Sequence, residues 1–316
     1  MKKRMHFYIV IGVLLIGLII GSINNIDLKI DQALFDRNNM FGLIMASFGV
    51  YPCYMGLAFI GGGLMVTTRK REGFPIWGKI ICYGLSILAY GMSVYLCGRE
   101  LPSVNGFDKP NLAILSYVIC AVLFAGVYVL AYIVCNRGDI QKLWPILIVM
   151  TIIFVVGLLP AGFIIKLIIH RPRYRYAVFY EETEFFNWWQ MFPTYKDHIR
   201  EITVDGGKVI NITKEEFKSF PSGHSGTGAI MMMFLPYAVY FFPKLKGKET
   251  LLFYIGFAFA LLMMFSRLIV GAHYLTDTCM GSLIVMVAYY VTNEFALRKN
   301  LFDDKKEEQL ENNNNK

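Results

Sequence analysis

Three cations and two short motifs in this chain combine residue types that together suit a phosphate group. Lys166, Arg173 and Arg267 supply positive charges and many N–H donors, matching the dispersed negative charge of a phosphate. Ser222-Gly223-His224 follows Pro221 at a predicted helix start. Free backbone N–H groups and the positive end of the helix dipole there make an anion site, and Gly223 lets the backbone come close. His273 and Asp277 are four residues apart, so on a helix they share a face and can hydrogen-bond. A carboxylate holding one imidazole nitrogen leaves the other free as nucleophile or base.

The elements that must position these groups are membrane helices. The chain has 316 residues, 31 basic and 23 acidic, for a formal charge of +8. Apolar residues make up 56%, about two-thirds once the 28 glycines are added, and only 17% are charged. A soluble domain runs near ~45–50% and ~25% on those counts. A water-soluble globule of this size could not hide the excess, so that class is excluded. Spanning a bilayer takes ~20 largely apolar residues. Eight such runs stand at about 7–23, 41–66, 78–97, 111–135, 143–165, 224–243, 251–270 and 275–295. The expected fold is all-α, a polytopic membrane helical bundle of about eight transmembrane helices with an outward loop domain. The basic start and first apolar run are expected to stay as a retained helix, because no small-residue cleavage site follows.

Basic residues sit in five short clusters, around Lys3, Lys70, Arg137, Lys246 and Arg298, which fall on one side if eight helices alternate. Both termini are therefore expected in the cytoplasm and the protein in the plasma membrane, and no nucleic-acid partner is expected. Lys166, His224, Arg267, His273 and Asp277 then lie at the outer ends of spans five to eight, while spans one to four carry no matching charged set. Ionisable groups at membrane depth are costly and mark function. The longest hydrophilic stretch, 171–220, faces outward too. Its aromatic run with Phe185, Phe186, Trp188 and Trp189 is expected on the membrane surface. Residues 202–204 and 209–210 around Asp205-Gly206-Gly207 suggest a β-hairpin, and Thr213 with Glu216 a capping box. The six cysteines form no metal-type pair and are expected as buried small hydrophobes.

Lys166-x6-Arg173, Pro221-Ser222-Gly223-His224 and Ser266-Arg267-x5-His273-x3-Asp277 resemble, in order and spacing, the three motifs of the type 2 phosphatidic acid phosphatase (PAP2) superfamily. They cover roughly a third of the chain, and Tyr174 stands where the family pattern has proline. The resemblance implies a PAP2-like catalytic core at 143–297, preceded by N-terminal transmembrane helices over 1–142 (about four spans); the polar composition of 298–316 and the basic linkers make a disordered cytoplasmic tail the expectation there. It implies a metal-independent membrane phosphatase that hydrolyses a lipid phosphate or pyrophosphate at the outer face, of the phosphatidate, phosphatidylglycerol phosphate or undecaprenyl pyrophosphate type. His273 would form a phosphohistidine with Asp277 orienting it, and His224 would be general acid and then base. Lys166, Arg173, Ser222, Gly223 and Arg267 would bind the phosphoryl oxygens. No metal and no cofactor is implied; the partners are the lipid substrate and the bilayer. A lipid phosphotransferase would use the same phosphohistidine. A transporter is the remaining class, disfavoured because the charges gather at one interface rather than the midplane.

Overall fold

Inside a bilayer every backbone N–H and C=O must be satisfied within its own segment, so apolar runs of this length fold as helices. The computed structural model describes residues 4–100, 110–204 and 207–299. Its helices are α1 (Met5–Gly21), α2 (Ile26–Leu34), α3 (Met40–Phe48), α4 (Tyr51–Lys70), α5 (Ile76–Glu100) and α6 (Pro110–Arg137). They continue with α7 (Ile140–Leu159), α8 (Lys166–Ile169), α9 (Gly223–Tyr237), α10 (Glu249–Ile269) and α11 (Leu275–Arg298). The protein is an all-α polytopic bundle.

Six stretches are long and apolar enough to cross a membrane: Met40–Lys70, Ile76–Glu100, Ala113–Arg137, Ile140–Ile169, Glu249–Ile269 and Leu275–Arg298. A seventh exists if α1 and α2, bent by 93°, form one span. The expected eight are therefore not all full-length. In particular α9 has 15 residues and carries Pro236 in its last turn, after which the chain tightens into a 3-10 turn at Ala238–Tyr240. That is about 22 Å of helix. It lies inside the bundle against α4, α7, α10 and α11. Ile230, Met233, Phe253, Leu147, Ile153 and Met286 fill the core between them. Ile16, Ile80, Ile87, Val122 and Leu251 point outward, an apolar exterior suited to lipid. All six cysteines are free and buried.

Two linkers fold in ways composition did not suggest. In residues 24–40, between the first two apolar runs, α2 forms and buries Asp27 and Asp31. The reversal is made at Asn24 and Asn25, both at positive φ (48° and 57°), a conformation asparagine tolerates. The segment 171–220 has a small core of its own, Phe192, Tyr195, Ile212 and Phe217. It contains the expected hairpin, β1 (Arg200–Val204) antiparallel to β2 (Lys208–Ile212) with Ile202 opposite Ile210; Asp205 and Gly206 of its turn lie outside the described residues. Thr213 caps the following 3-10 turn by accepting from Glu215 N at 3.3 Å. Glu216 does not complete a capping box, because its carboxylate takes Arg175 Nε and Nη2 at 3.2 and 3.3 Å. The two ends of the segment are pinned together: Arg173 N–H donates to Glu216 O at 2.8 Å, and Ser219 N–H to Arg171 O at 3.0 Å.

The aromatic run is only partly on the surface. Trp189 is exposed, but Trp188 stacks on Phe220 and donates to Ser22 Oγ at 2.9 Å, and Phe185 packs edge-on to Tyr274. These rings cover a buried arginine, described below.

Candidate active site

Arg4 at the start of α1 pairs with Glu294 near the end of α11 (Nη2–Oε2 2.8 Å). The start of α11 and the turn before it therefore lie at the far end of the bundle. There a cavity of about 610 Å³ opens, and Lys166, Arg173, Gly223, His224, Arg267 and His273 all line it. They come from α8, the chain after it, the first turn of α9, the end of α10 and the turn between α10 and α11. Pinning residues 171–173 against 216–219 is what brings Arg173 beside the start of α9.

His273 is not on a helix. α11 starts at Leu275, and the chain reaches it through Gly271 at φ +59°. The direct His273–Asp277 hydrogen bond expected from helical spacing is accordingly not made: Nδ1 and Oδ2 are 3.9 Å apart. Nδ1 lies instead 2.6 Å from the Ser219 carbonyl. A carbonyl only accepts, so Nδ1 carries the proton and Nε2 keeps its lone pair. Burial, reinforced by Arg173, Lys166, His224 and Arg267, pushes the imidazole well below its usual pKa, so it is neutral near pH 7. Asp277 acts one step back. Its Oδ2 accepts from Ser219 Oγ at 2.5 Å and from Tyr274 N–H at 2.9 Å, and its Oδ1 accepts from Arg171.

The two arginines flanking Pro172 have opposite environments. Arg171 is fully buried with its donors taken: Nε by Phe186 O (2.8 Å), Nη1 by Thr276 Oγ1 (2.9 Å) and Asp277 Oδ1 (2.5 Å), Nη2 by Asp27 Oδ2 (2.9 Å). Its guanidinium also lies over the Tyr274 ring, 4.1 Å from the centroid. Arg173 lines the cavity, and its buried Nε has no protein partner. Arg173 is thus the one available to an anion. Arg267 has Nη2 on Gly42 O at 2.8 Å and Nε on Ser266 Oγ at 3.2 Å. His224 Nε2 is 3.3 Å from Ala46 O and 3.6 Å from Glu100 Oε2. Ser222 stands behind the wall. Its Oγ caps α9, accepting from Ser225 N–H at 3.2 Å, and its N–H donates to Asp277 O at 2.9 Å. Gly281 of α11 passes so close to the Ser222 backbone that a Cβ would collide with Ser222 O.

The N-terminal helices complete the cavity, contrary to the expectation that spans one to four offer no charged set. Arg37, Arg99 and Glu100 line it together with Ala46, Val50 and Tyr54. Gly42 and Ala46 contribute backbone carbonyls, which carry no side-chain signature; Arg99 and Glu100 sit in what reads as a balanced linker. Among the described residues, no group of three or more His, Cys, Asp or Glu side chains converges in a metal-binding arrangement.

Residues 152–300, just under half of the chain, match the family model of the PAP2 superfamily. The match supports membership of that superfamily, whose members are generally phosphatases acting on phosphorylated substrates, and the long apolar helices are those of an integral membrane protein. Neither the curated proteins nor the solved structures contain a match to it.

Proposed function

We propose that the protein hydrolyses a lipid phosphate or pyrophosphate through a phosphohistidine on His273, at the outer face of the plasma membrane. The observation that carries this is the locked ring: Nδ1–H held by Ser219 O leaves Nε2 bare at a cation-lined cavity. Nε2 attacks phosphorus, and the bond to the leaving oxygen breaks. His224 gives that oxygen its proton, and Lys166, Arg173, Arg267 and the Gly223 backbone hold the non-bridging oxygens. His224 then takes a proton from water, whose oxygen attacks phosphorus; the N–P bond breaks and inorganic phosphate leaves. Electrostatic stabilisation of the transferring group is the largest contribution. Three cations supply it, so no metal is required.

A lipid is favoured by the shape of the wall. Val50, Tyr54, Leu96, Leu158 and Phe163 form an apolar side beside the cations, which suits an amphiphile whose tails stay in hydrocarbon. The outer face is supported by the basic clusters of the sequence, which fall on the opposite side from the site if the spans alternate. The test is phosphate release from phosphatidate, phosphatidylglycerol phosphate and undecaprenyl pyrophosphate by purified protein with chelator present. Hydrolysis of at least one, with acid-labile phosphoenzyme lost in His273→Ala, is expected. An absolute requirement for added Mg²⁺ would contradict the scheme.

A further inference from the structure

The nucleophile's support does not end within the segment shared with the superfamily. Asp27 lies in α2, far outside residues 152–300, and is 1% exposed. Its Oδ1 accepts the Thr276 backbone N–H at 3.0 Å, and its Oδ2 accepts Thr276 Oγ1 and Arg171 Nη2, the latter at 2.9 Å. The Thr276 N–H is one of the donors that the first turn of a helix cannot satisfy internally. Asp27 therefore caps α11 from another helix, and its charge meets the positive end of that helix.

From Asp27 an unbroken buried chain leads to the reacting ring. Arg171 bridges Asp27 to Asp277 Oδ1; Asp277 Oδ2 accepts from Ser219 Oγ; the Ser219 carbonyl accepts from His273 Nδ1. Ser219 is the joint of the chain, because its hydroxyl answers to Asp277 while its carbonyl sets the imidazole tautomer. The geometry leaves Asp27 little freedom. At Gly21, the last residue of α1, a Cβ would come within 2.7 Å of both Asp27 Oδ1 and Thr276 Cγ2. Trp188 N–H on Ser22 Oγ fastens the same corner.

We propose that Asp27 is a positioning residue for His273: through Arg171, Asp277 and Ser219 it holds the ring so that Nε2 faces the phosphate cradle, making the N-terminal pair of helices α1 and α2 part of the catalytic machinery. The proposal rests on His273 being the nucleophile. Asp27→Asn keeps the shape and one acceptor, for the Thr276 N–H, but puts an NH2 where Oδ2 accepted Thr276 Oγ1 and Arg171 Nη2 and withdraws the charge that shares Arg171. Arg171 then draws harder on Asp277, and the pull passes through Ser219 to the ring. A displacement of the order of 1 Å in a reacting group costs roughly 10²-fold in rate. Lys166, Arg173 and Arg267 are untouched, so binding persists.

The experiment uses full-length protein in detergent and the lipid phosphate that the wild type hydrolyses fastest of the three named above. Asp27→Asn is expected to lower kcat about 10²-fold with KM within about twofold. The acid limb of kcat/KM should also move to lower pH. His273 is faced by Lys166, Arg173, Arg267 and His224 on the cavity side and by Asp277 and Arg171 behind. Asp27 stands behind these groups, on Arg171, and removing its negative charge makes the ring hold a proton less firmly. Thr276→Val, which keeps the Asp27 charge and removes one of its hydrogen bonds, is expected to give a smaller kcat loss with KM unchanged, and decides the matter if Asp27→Asn does not fold. Wild-type kcat in these variants, or a loss confined to KM, would overturn the proposal. His273→Ala is run beside them: if it stays active, the nucleophile assignment itself falls, whereas an inactive His273→Ala with a fully active Asp27→Asn removes only the role given to Asp27.

Discussion

Substituting the two arginines on either side of Pro172 should produce opposite failures. Arg171 satisfies Asp27 and Asp277, which are 1% and 0% exposed, and donates to Phe186 O and Thr276 Oγ1 as well. Arg171→Met preserves bulk but leaves two carboxylates buried without their counter-charge. Removing one partner of a buried ion pair costs about 3–5 kcal/mol. That is a large part of the ~5–15 kcal/mol that keeps a domain folded. Thermal unfolding in detergent should show Tm lower by on the order of 10 °C. Arg173 contributes the reverse. Its buried Nε has no protein partner, so Arg173→Met should leave Tm within about 2 °C and relieve a desolvated charge. Phosphate hydrolysis should fall instead, by about 10²–10³-fold in kcat/KM, the usual loss for one donor to a developing oxyanion. Wild-type Tm in Arg171→Met, or undiminished turnover in Arg173→Met, would refute the division of labour between them.

Three further outcomes follow from the geometry. Gly281→Ala drives a methyl group into the Ser222 backbone, so it should destabilise by about 1–3 kcal/mol and lower kcat by shifting the first turn of α9; chemical denaturation and steady-state kinetics check both. Because burial and four neighbouring cationic or imidazole groups push His273 down, the acid limb of kcat/KM should lie below the ordinary histidine value of about 6.5. The neutral nucleophile then survives as pH falls and is lost only below its lowered pKa. Long-chain lipid phosphates should exceed glycerol 3-phosphate and p-nitrophenyl phosphate in kcat/KM, since a tail left in hydrocarbon avoids about 0.8 kcal/mol per CH₂; equal values for the soluble esters would separate catalysis from membrane delivery.

What the sequence disclosed was set by side-chain chemistry, and what it concealed was set by backbone and distance. Lys166, Arg173, His224, Arg267 and His273 were legible because charge at an apolar helix end is expensive, and they do share one cavity. The link between His273 and Asp277 was misjudged, because a four-residue spacing looks the same on a helix and across a helix start. The Gly271 turn decides between the two, and no pattern in the chain marks it as a turn rather than a packing glycine. Asp27 was hidden by separation: it meets Thr276 from 249 positions away. The Gly42, Ala46 and Ser219 carbonyls belong to every residue type alike. The expected span at α9 is shorter than the others, because a helix sheltered by protein on several sides needs no full bilayer length.

The pinned ends of the 171–220 segment make the hairpin within it an interchangeable part. Arg173 and Ser219 hold their partners through main-chain bonds, so the two motifs on either side keep their spacing whatever length the hairpin takes. Entropy tolerates changes in such an insert well: doubling the length of a flexible loop whose ends are already joined costs only about 0.6 kcal/mol. Residues 185–188 are tied to Arg171, Tyr274, Phe220 and Ser22, but the part beyond them has its own small apolar core and its own hairpin, and the hairpin can be lengthened or trimmed as a unit. The surface above the cavity can in this way diversify while the cation-lined cavity beneath it stays fixed.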